Sequence, residues 1–460
     1  MKARILTETL SPSVESLDER VHGSFVSGVA LTFGTRLLML AGLVGSSVIV
    51  ARWLGPEGLG TLAVLTVTVL LTLQIGSAGL PSANTYFIAR DSHNLGTVWA
   101  NSVVFALVGG SLLASGVVLL AEFRPALFGG VGRNLLIIAT ISIPFQLLTL
   151  LGLNVLLAMG RIGQLNLLDS LSAALALVNA VIVLIFMRAK LAMLVAFNTG
   201  AAVALGLAML FVAGRMLARQ KERRPCQPDF RLLKRMLGYG IKFYISIMAS
   251  VLIFRVDLLI VNHFRGAAEA GVYAVASQVS FLLMMLPGVI AMLLFPRVAS
   301  EQDPRGEFAI QVTRHASFAM LIMCIAAALG SFVLPLIYGA PFADSTIQLL
   351  ILLPGVFLVS IESVLVQHFT GTGLPAAIPA FWLLTLAINL GLNLTLVPVF
   401  GARGAAATST LSYALIFGLV AIYFLLKTGR HPAETFLLRR SELRDLFGLT
   451  RRAVFSRSNQ

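Results

Sequence analysis

The stretch Arg52-Trp53-Leu54-Gly55-Pro56-Glu57-Gly58-Leu59-Gly60 decides the fold, because a later stretch of the chain repeats its pattern. His263-Phe264-Arg265-Gly266-Ala267-Ala268-Glu269-Ala270-Gly271 aligns with it, so that Gly55 falls on Gly266 and Gly60 falls on Gly271. Glycines of this kind end and join helices, since they adopt backbone conformations that other residues avoid. The alignment therefore predicts two equivalent helix junctions.

The same register recurs elsewhere in the chain. An offset of about 210 residues also aligns three further pairs: Pro125-Ala-Leu-Phe-Gly129 with Pro335-Leu-Ile-Tyr-Gly339, Gly163 with Gly373, and Asn179 with Asn389. One spacing that serves four separate places predicts two homologous halves. Internal repeats on this scale are typical of membrane transporters.

Composition places the chain in a membrane. It is 58% hydrophobic and 12% charged, with a mean hydropathy of +0.91, whereas soluble domains carry about 25% charged residues. Apolar stretches near the roughly 20 residues that cross a bilayer recur along the whole length. They predict an all-α polytopic membrane protein with twelve spans: 26–50, 61–83, 97–121, 134–158, 164–187, 191–214, 238–261, 271–295, 308–336, 345–369, 375–397 and 404–427.

These spans predict the domain organisation. We expect two six-helix lobes at 26–214 and 238–428, a basic linker at 215–237, and polar tails at 1–25 and 429–460. Placing the N-terminus in the cytoplasm puts 25 of the 34 Lys and Arg residues on that side. Cytoplasmic loops are enriched in these residues, so both termini are predicted to be cytoplasmic.

The net charge of +14 does not indicate a nucleic-acid partner. The basic clusters lie beside span ends, where membrane topology and anionic lipid headgroups account for them. Aromatic residues do not alternate with the basic ones, as a base-stacking surface would require. Cys226 and Cys324 fall in the linker and in a span, so we expect no disulfide between them. We expect the lipid bilayer as a partner and nucleic acid as none.

A search for catalytic and metal-binding motifs returns nothing convincing. The chain has no HExxH, no CxxC, no Walker-type loop and no large external loop for a catalytic domain. We therefore expect no enzyme activity, no cofactor and no metal site.

Ionisable residues inside the apolar spans are the strongest functional signal. Arg36 lies ten residues into the first span, Arg255 and Asp257 lie in the seventh, and Glu362 and His368 lie in the tenth. Such residues are costly in a bilayer and mark functional sites by default. Arg36 and Arg255 could line a hydrated cavity that receives an anionic group such as phosphate. Interhelical ion pairs, or side chains that reach the membrane surface, would equally explain them.

Several stretches resemble one family of transporters. These are Asn389-Leu-Gly-Leu-Asn393-Leu-Thr-Leu-Val-Pro398-Val-Phe-Gly401-Ala-Arg-Gly404-Ala-Ala-Ala-Thr408, Arg255-Val-Asp257 followed by Gly266 and Gly271-Val-Tyr273, and the opening stretch Arg52–Gly60. Together they resemble the Wzx-type lipid-linked oligosaccharide flippases of the multidrug/oligosaccharidyl-lipid/polysaccharide exporter superfamily. The resemblance covers nearly the whole chain.

The resemblance implies a fold, a cargo and a location. Two six-helix lobes would surround a central cavity, with alternating access from the two membrane faces. The cargo would be an oligosaccharide on polyprenyl pyrophosphate, moved across the cell inner membrane for synthesis of O-antigen, capsule or exopolysaccharide. A polysaccharide polymerase and other assembly proteins would be partners. Within such a cavity, Arg36 and Arg255 are the candidates for the phosphate groups, and Lys242, Asn166 and Gln278 are candidate wall residues.

Other readings remain open at this point. A cation-coupled multidrug antiporter of the same superfamily would be expected to carry carboxylates deep in the first lobe, where Asp169 is the one carboxylate and lies near a span end. An enzyme of glycan polymerisation would need an external catalytic loop. Lipid II flippases usually have fourteen spans, whereas this sequence predicts twelve. Asp257 and Glu362 either couple ions or neutralise arginines, and the glycan itself is not encoded in any motif.

Overall fold

The structure, a computed structural model, describes residues 11–218, 226–285, 287, 307–371 and 375–436. Side chains are described for the same ranges except at 11–38, 218, 242 and 243. Regular secondary structure in these ranges is helical throughout. The predicted all-α fold class is confirmed.

The first half of the chain forms six membrane-crossing segments, which we call spans 1 to 6. Spans 1 and 2 occupy Ser11–Ser77, and span 2 continues into Leu80–Arg90. The others are span 3 in Leu95–Val104, the π-helical Phe105–Gly109 and Gly110–Phe123, span 4 in Arg133–Thr140 and Ile143–Ala158, span 5 in Ile162–Ala180 and the π-helical Val181–Phe186, and span 6 in Leu191–Ala218.

The second half forms spans 7 to 12 in the same order. Its helices are span 7 in Phe230–Arg265, span 8 in Ala267–Leu283, span 9 in Glu307–Gly330 with Ser331–Val333 and Leu334–Tyr338, span 10 in Asp344–Gly371, and spans 11 and 12 in Ala377–Thr428. A short helix, Pro432–Phe436, follows span 12 and packs on span 9.

Twelve crossings are accounted for in the described part of the chain. Nine helical stretches there are long and apolar enough to cross a membrane. Two of them, Met39–Ser77 and Ala377–Thr428, are each divided by a glycine with non-helical dihedral angles and so contain two crossings. Ala267–Leu283 adds a shorter apolar helix. The predicted polytopic architecture is therefore confirmed.

The aligned glycines adopt matching conformations. Gly55 has φ 67° and ψ −171°, and Gly266 has φ 87° and ψ 173°. This region of backbone space is open essentially to glycine alone. Each glycine turns the chain from one span into the next, so the two junctions that the opening stretch predicted are present and equivalent.

The junctions after spans 1, 3, 5, 7, 9 and 11 share one end of the bundle, which we call the distal end. Hydrogen bonds there join the end of span 1 to that of span 9, and the end of span 7 to those of spans 3 and 11. The described chain ends lie with the remaining junctions at the opposite, terminal end.

The two lobes meet where span 2 crosses span 8. A Cβ atom on Gly60 would lie 1.7 Å from the carbonyl oxygen of Ala267, and one on Gly271 would lie 2.0 Å from that of Pro56. Pro56 and Ala267 are themselves aligned by the repeat, so the contact is reciprocal. A self-complementary contact of this kind indicates a two-fold relation between the lobes.

Aligned asparagines also make equivalent contacts, one within each lobe. The Asn179 amide donates to Asn198 Oδ1 at 3.0 Å and joins span 5 to span 6. Its aligned partner Asn389 donates to Ser412 Oγ at 2.9 Å and joins span 11 to span 12. Gly373, aligned with Gly163, lies outside the described residues. Both lobes thus close with an asparagine hydrogen bond between their last two spans.

Span 7 belongs to the cores of both lobes. Leu232 and Met236, near its start, pack in the first-lobe cluster, while Ile253 and Val261 pack in the cluster that includes most of the second lobe. The backbone just before span 7 is fixed by Asn101, which exchanges two hydrogen bonds with the main chain of Asp229 at 2.9 and 3.1 Å. The last residues of the predicted linker are therefore helical and anchored to the first lobe.

Candidate functional site

Asp257 lies at the centre of a polar contact among three spans. Its carboxylate is 1% exposed and accepts hydrogen bonds from the hydroxyls of Tyr273 on span 8 and Ser409 on span 12, the second at 3.0 Å. The amide of Leu258 also donates to it, at 2.7 Å. A buried carboxylate needs donors, and here neutral hydroxyls, rather than an arginine of a neighbouring helix, supply them.

Arg255 lies on a different face of span 7 from Asp257, as its spacing of two residues predicts. Its guanidinium carbon is 4.4 Å from the centre of the Phe281 ring on span 8, a cation–π contact. Within the described part of the chain, Arg255 has no ion pair. The guanidinium therefore lies against an aromatic face, and among the described residues the carboxylate of Asp257 acts on it only from beyond ion-pair distance.

Gln278 lies on the same side of span 8 as Phe281, because residues three apart on a helix are neighbours. Its side-chain nitrogen is buried and has no hydrogen-bond acceptor among the described residues. An amide donor in this state costs free energy unless a ligand or water accepts from it. The structure thus places two of the predicted site residues, Arg255 and Gln278, against one face of span 8.

A small cavity adjoins these residues between spans 7, 8, 10 and 12. Its lining residues include Tyr273, Ser277, Ser280, Tyr413 and Phe281. Phe281 also contacts Arg255, and Tyr273 also contacts Asp257. Arg255 itself does not line the cavity, which in this conformation has room for about one water molecule.

The other predicted site residues lie apart from this region or outside the described part. Asn166 is buried in span 5 of the first lobe and is not without a partner. Arg36 and Lys242 fall on helical backbone in spans 1 and 7, but their side chains lie outside the described residues.

Glu362 is a second buried carboxyl in the second lobe. It lies in span 10, is 2% exposed, and its Oε1 atom has no hydrogen-bond partner in the part of the chain that the structure describes. His368, further along the same span, is also buried, with its ring 5.4 Å from that of Phe424. No group of three or more His, Cys, Asp or Glu side chains suitable for a metal ion occurs among the described residues.

Sequence reasoning missed three buried polar residues, two of which contribute to these contacts. Tyr273 was part of the family-like stretch after Gly271 but was not assigned a role, and Ser409 follows directly on another such stretch. The third, Arg314, lies apart from these contacts: it is buried in span 9 and donates to the Glu434 carbonyl at 3.3 Å. A search for hydroxyls and cations inside predicted spans would have found all three.

Comparison with known proteins identifies the family. Residues 26–302 match the sequence model of a family described as polysaccharide biosynthesis protein. The chain belongs to this family. The polysaccharide biosynthesis family is the one that the sequence stretches resembled, so the resemblance is confirmed.

Two relatives of this polysaccharide biosynthesis protein come from Haloferax volcanii. It is 23% identical over 203 residues to the probable low-salt glycan biosynthesis flippase Agl15, covering 43% of each chain. It is 29% identical over 169 residues to the probable flippase AglR, covering 35% of each chain. The matched region therefore spans less than half the length of either relative.

Solved structures of two kinds share the fold. The lipid II flippase MurJ in an inward closed conformation superposes with a TM-score of 0.72 at 16% identity, covering 89% of each chain. A multidrug resistance MATE family transporter in its inward-facing conformation gives 0.70 at 16% identity, covering 85% of this chain and 94% of that one. At this identity the similarity concerns the fold alone.

Proposed function

We propose that this chain is a flippase that moves an oligosaccharide linked to polyprenyl pyrophosphate from the cytoplasmic to the outer leaflet by alternating access. The observation that carries the proposal is Arg255, a cation within an apolar bundle that has no ion pair in the described part of the chain. A pyrophosphate would bring negative charge into direct contact with this guanidinium, and guanidinium groups bind phosphates through charge-assisted hydrogen bonds.

The neighbouring groups suit the rest of such a cargo. Sugars present many hydroxyls, and Ser277, Ser280 and Tyr413 are proposed to bind them once the helices part around the water-sized cavity beside Phe281. Gln278 adds a buried amide that has no acceptor among the described residues. The polyprenyl chain is apolar and can stay in the bilayer during transfer. Arg36, Lys242 and Asn166 are proposed to extend this polar surface from spans 1, 7 and 5.

Family membership and the names of the relatives support the same class of activity. The chain belongs to a polysaccharide biosynthesis family, and both Haloferax relatives are named as probable flippases. Accordingly, we propose that the protein lies in the cell inner membrane with both termini in the cytoplasm, and that a polymerase receives its product. The lobes are proposed to be 26–214 and 238–428, with the linker between them.

Lipid analysis of a strain that lacks this protein tests the proposal. We expect polyprenyl pyrophosphate carrying an oligosaccharide to accumulate in the cytoplasmic leaflet, while the surface polymer disappears. The mass of the accumulated lipid identifies the glycan. Normal surface polymer together with altered drug sensitivity would instead favour a multidrug exporter.

Glu362 is the proposed ion-coupling carboxyl. A buried carboxyl without a cation partner is costly when ionised, so binding and release of a proton or another cation can be linked to the conformation around it. We expect Glu362→Gln, which keeps the size but cannot ionise, to lower surface polymer strongly at normal protein level. Glu307→Gln is the matched control, because Glu307 is exposed and paired with Arg430 at 2.6 Å. Equal export by both variants would exclude this role.

A further inference from the structure

The ends of spans 1 and 9 are joined across the two lobes at the distal end. Arg52 donates from Nε to the carbonyl oxygen of Ile337 at 2.8 Å, and from Nη2 to that of Leu336. Arg52 belongs to the first lobe, and both carbonyls belong to the second. The guanidinium thus binds main-chain atoms of the opposite lobe.

An equivalent contact runs in the reverse direction. His263, at the end of span 7, lies with Nδ1 2.5 Å from the carbonyl oxygen of Ala126, after span 3. Asn262 donates from its side-chain nitrogen to the carbonyl of Phe128 at 2.9 Å. The repeat aligns His263 with Arg52 and Ala126 with Leu336. Each lobe therefore binds the other through the same position and the same segment.

The acceptor segments are built to offer carbonyl oxygens. Both are short helices that end at a glycine with positive φ, Gly129 at 52° and Gly339 at 114°. The last carbonyls of a helix have few intrahelical donors, and each oxygen can accept two hydrogen bonds. A donor from the opposite lobe fills this capacity, so recognition depends on backbone geometry and not on the acceptor side chains.

The acceptors of these contacts are uncharged, unlike those of other contacts at the same end. Arg133 pairs with Glu122 at 2.6 Å inside the first lobe, and Arg403 pairs with Asp344 at 3.2 Å inside the second. Among the described residues, the basic side chains that cross between the lobes at this end reach neutral carbonyls instead. Hydrogen bonds to neutral acceptors are weaker than those to carboxylates. The polar contacts between the lobes at this end thus consist of hydrogen bonds that no carboxylate charge reinforces.

We propose that Arg52, Asn262 and His263, with the carbonyls of residues 126, 128, 336 and 337, form a distal clamp whose release opens the distal end of the bundle. This inference rests on the proposed function in taking opening of that end as a step of transport. In the proposed topology the distal end faces the outside, so the clamp closes the exit while cargo enters from the cytoplasm. Its symmetry lets both halves release together.

Distance measurements between spin labels test the clamp without any substrate. Labels on cysteines at Glu57 and Ala268, which are exposed and aligned by the repeat, report the separation of the lobes at the distal end. The full-length protein is reconstituted in lipid nanodiscs after Cys226→Ser and Cys324→Ala. We expect one main distance. Arg52→Ala combined with His263→Ala is expected to add a longer one, raising its population about two- to tenfold per hydrogen bond lost.

The matched control removes two exposed arginines from the same end but breaks contacts within the lobes. Arg133→Ala combined with Arg403→Ala is expected to leave the distances unchanged. Identical distances in the clamp variant and this control would overturn the proposal. Joining the cysteines at 57 and 268 with a short reducible cross-linker should block export until reductant is added, and export through cross-linked lobes would equally overturn it.

Failure of the clamp and failure of the proposed function remain distinguishable. If the lobes separate in the clamp variant but no lipid-linked glycan accumulates in the deletion strain, the clamp stands and the cargo is wrong. If the glycan lipid accumulates while the distances stay fixed, the cargo stands and the clamp is wrong.

Discussion

Replacing Arg255 with alanine is expected to abolish export of surface polymer while the protein still reaches the membrane. The guanidinium is the proposed phosphate ligand, and hydrogen bonds to charged groups contribute about 1.5–3 kcal/mol each. Loss of one such bond corresponds to about a ten- to hundredfold weaker interaction. Surface polymer is quantified in a deletion strain that carries each variant, with the amount of protein measured in the membrane fraction.

Two further substitutions separate the charge from the packing. Arg255→Met keeps an unbranched apolar chain against Phe281, since sulfur packs well on aromatic rings, but it removes the charge and should be as inactive as Arg255→Ala. Arg255→Lys keeps the charge without the planar guanidinium and should retain part of the activity.

A control defines the background for these Arg255 variants. Arg403→Ala removes an exposed arginine that pairs with Asp344 at 3.2 Å, and it should export normally. Normal export by Arg255→Ala and Arg255→Met would refute the assignment of this residue. Arg36→Ala is expected to resemble Arg255→Ala, because Arg36 is the other candidate phosphate ligand.

Substituting Gly60 or Gly271 with alanine is expected to destabilise the protein strongly. The new Cβ would lie 1.7 or 2.0 Å from a backbone carbonyl oxygen of the opposite lobe, and backbone cannot move aside as a flexible side chain can. Overpacking a close contact typically costs about 1–3 kcal/mol. Thermal unfolding of the purified protein in detergent measures the effect.

The reciprocal contact leads to a second prediction about Gly60 and Gly271. Once Gly60→Ala has pushed spans 2 and 8 apart, Gly271→Ala meets less resistance, so the double variant should lose less stability than the two single losses combined. Gly391→Ala is the control, since a Cβ there meets no atom of the described residues within 4 Å. Equal stability of Gly60→Ala and Gly391→Ala would show that the helices do not cross closely at Gly60.

The sequence by itself determined the architecture, because the features involved are local or periodic. Apolar stretches must be helical to satisfy their backbone groups in a bilayer, and glycine is favoured where the chain turns with positive φ. These constraints, together with the repeat at an offset of about 210 residues, were sufficient to predict twelve spans, two homologous halves and the matching junctions at Gly55 and Gly266. The family resemblance rested on the same stretches and was confirmed.

Only the tertiary structure decided which side chains meet. The spacing of Arg255 and Asp257 showed that the two side chains lie on different faces of span 7. It did not show that Arg255 would contact the ring of Phe281. Nor did it show that Tyr273 and Ser409 would donate hydrogen bonds to Asp257. Partners on separate helices depend on rotation and crossing angle, which no single helix encodes. The distal clamp could not be predicted for the same reason. Arg52 donates to carbonyl oxygens more than 280 residues away, and every residue type carries such an oxygen.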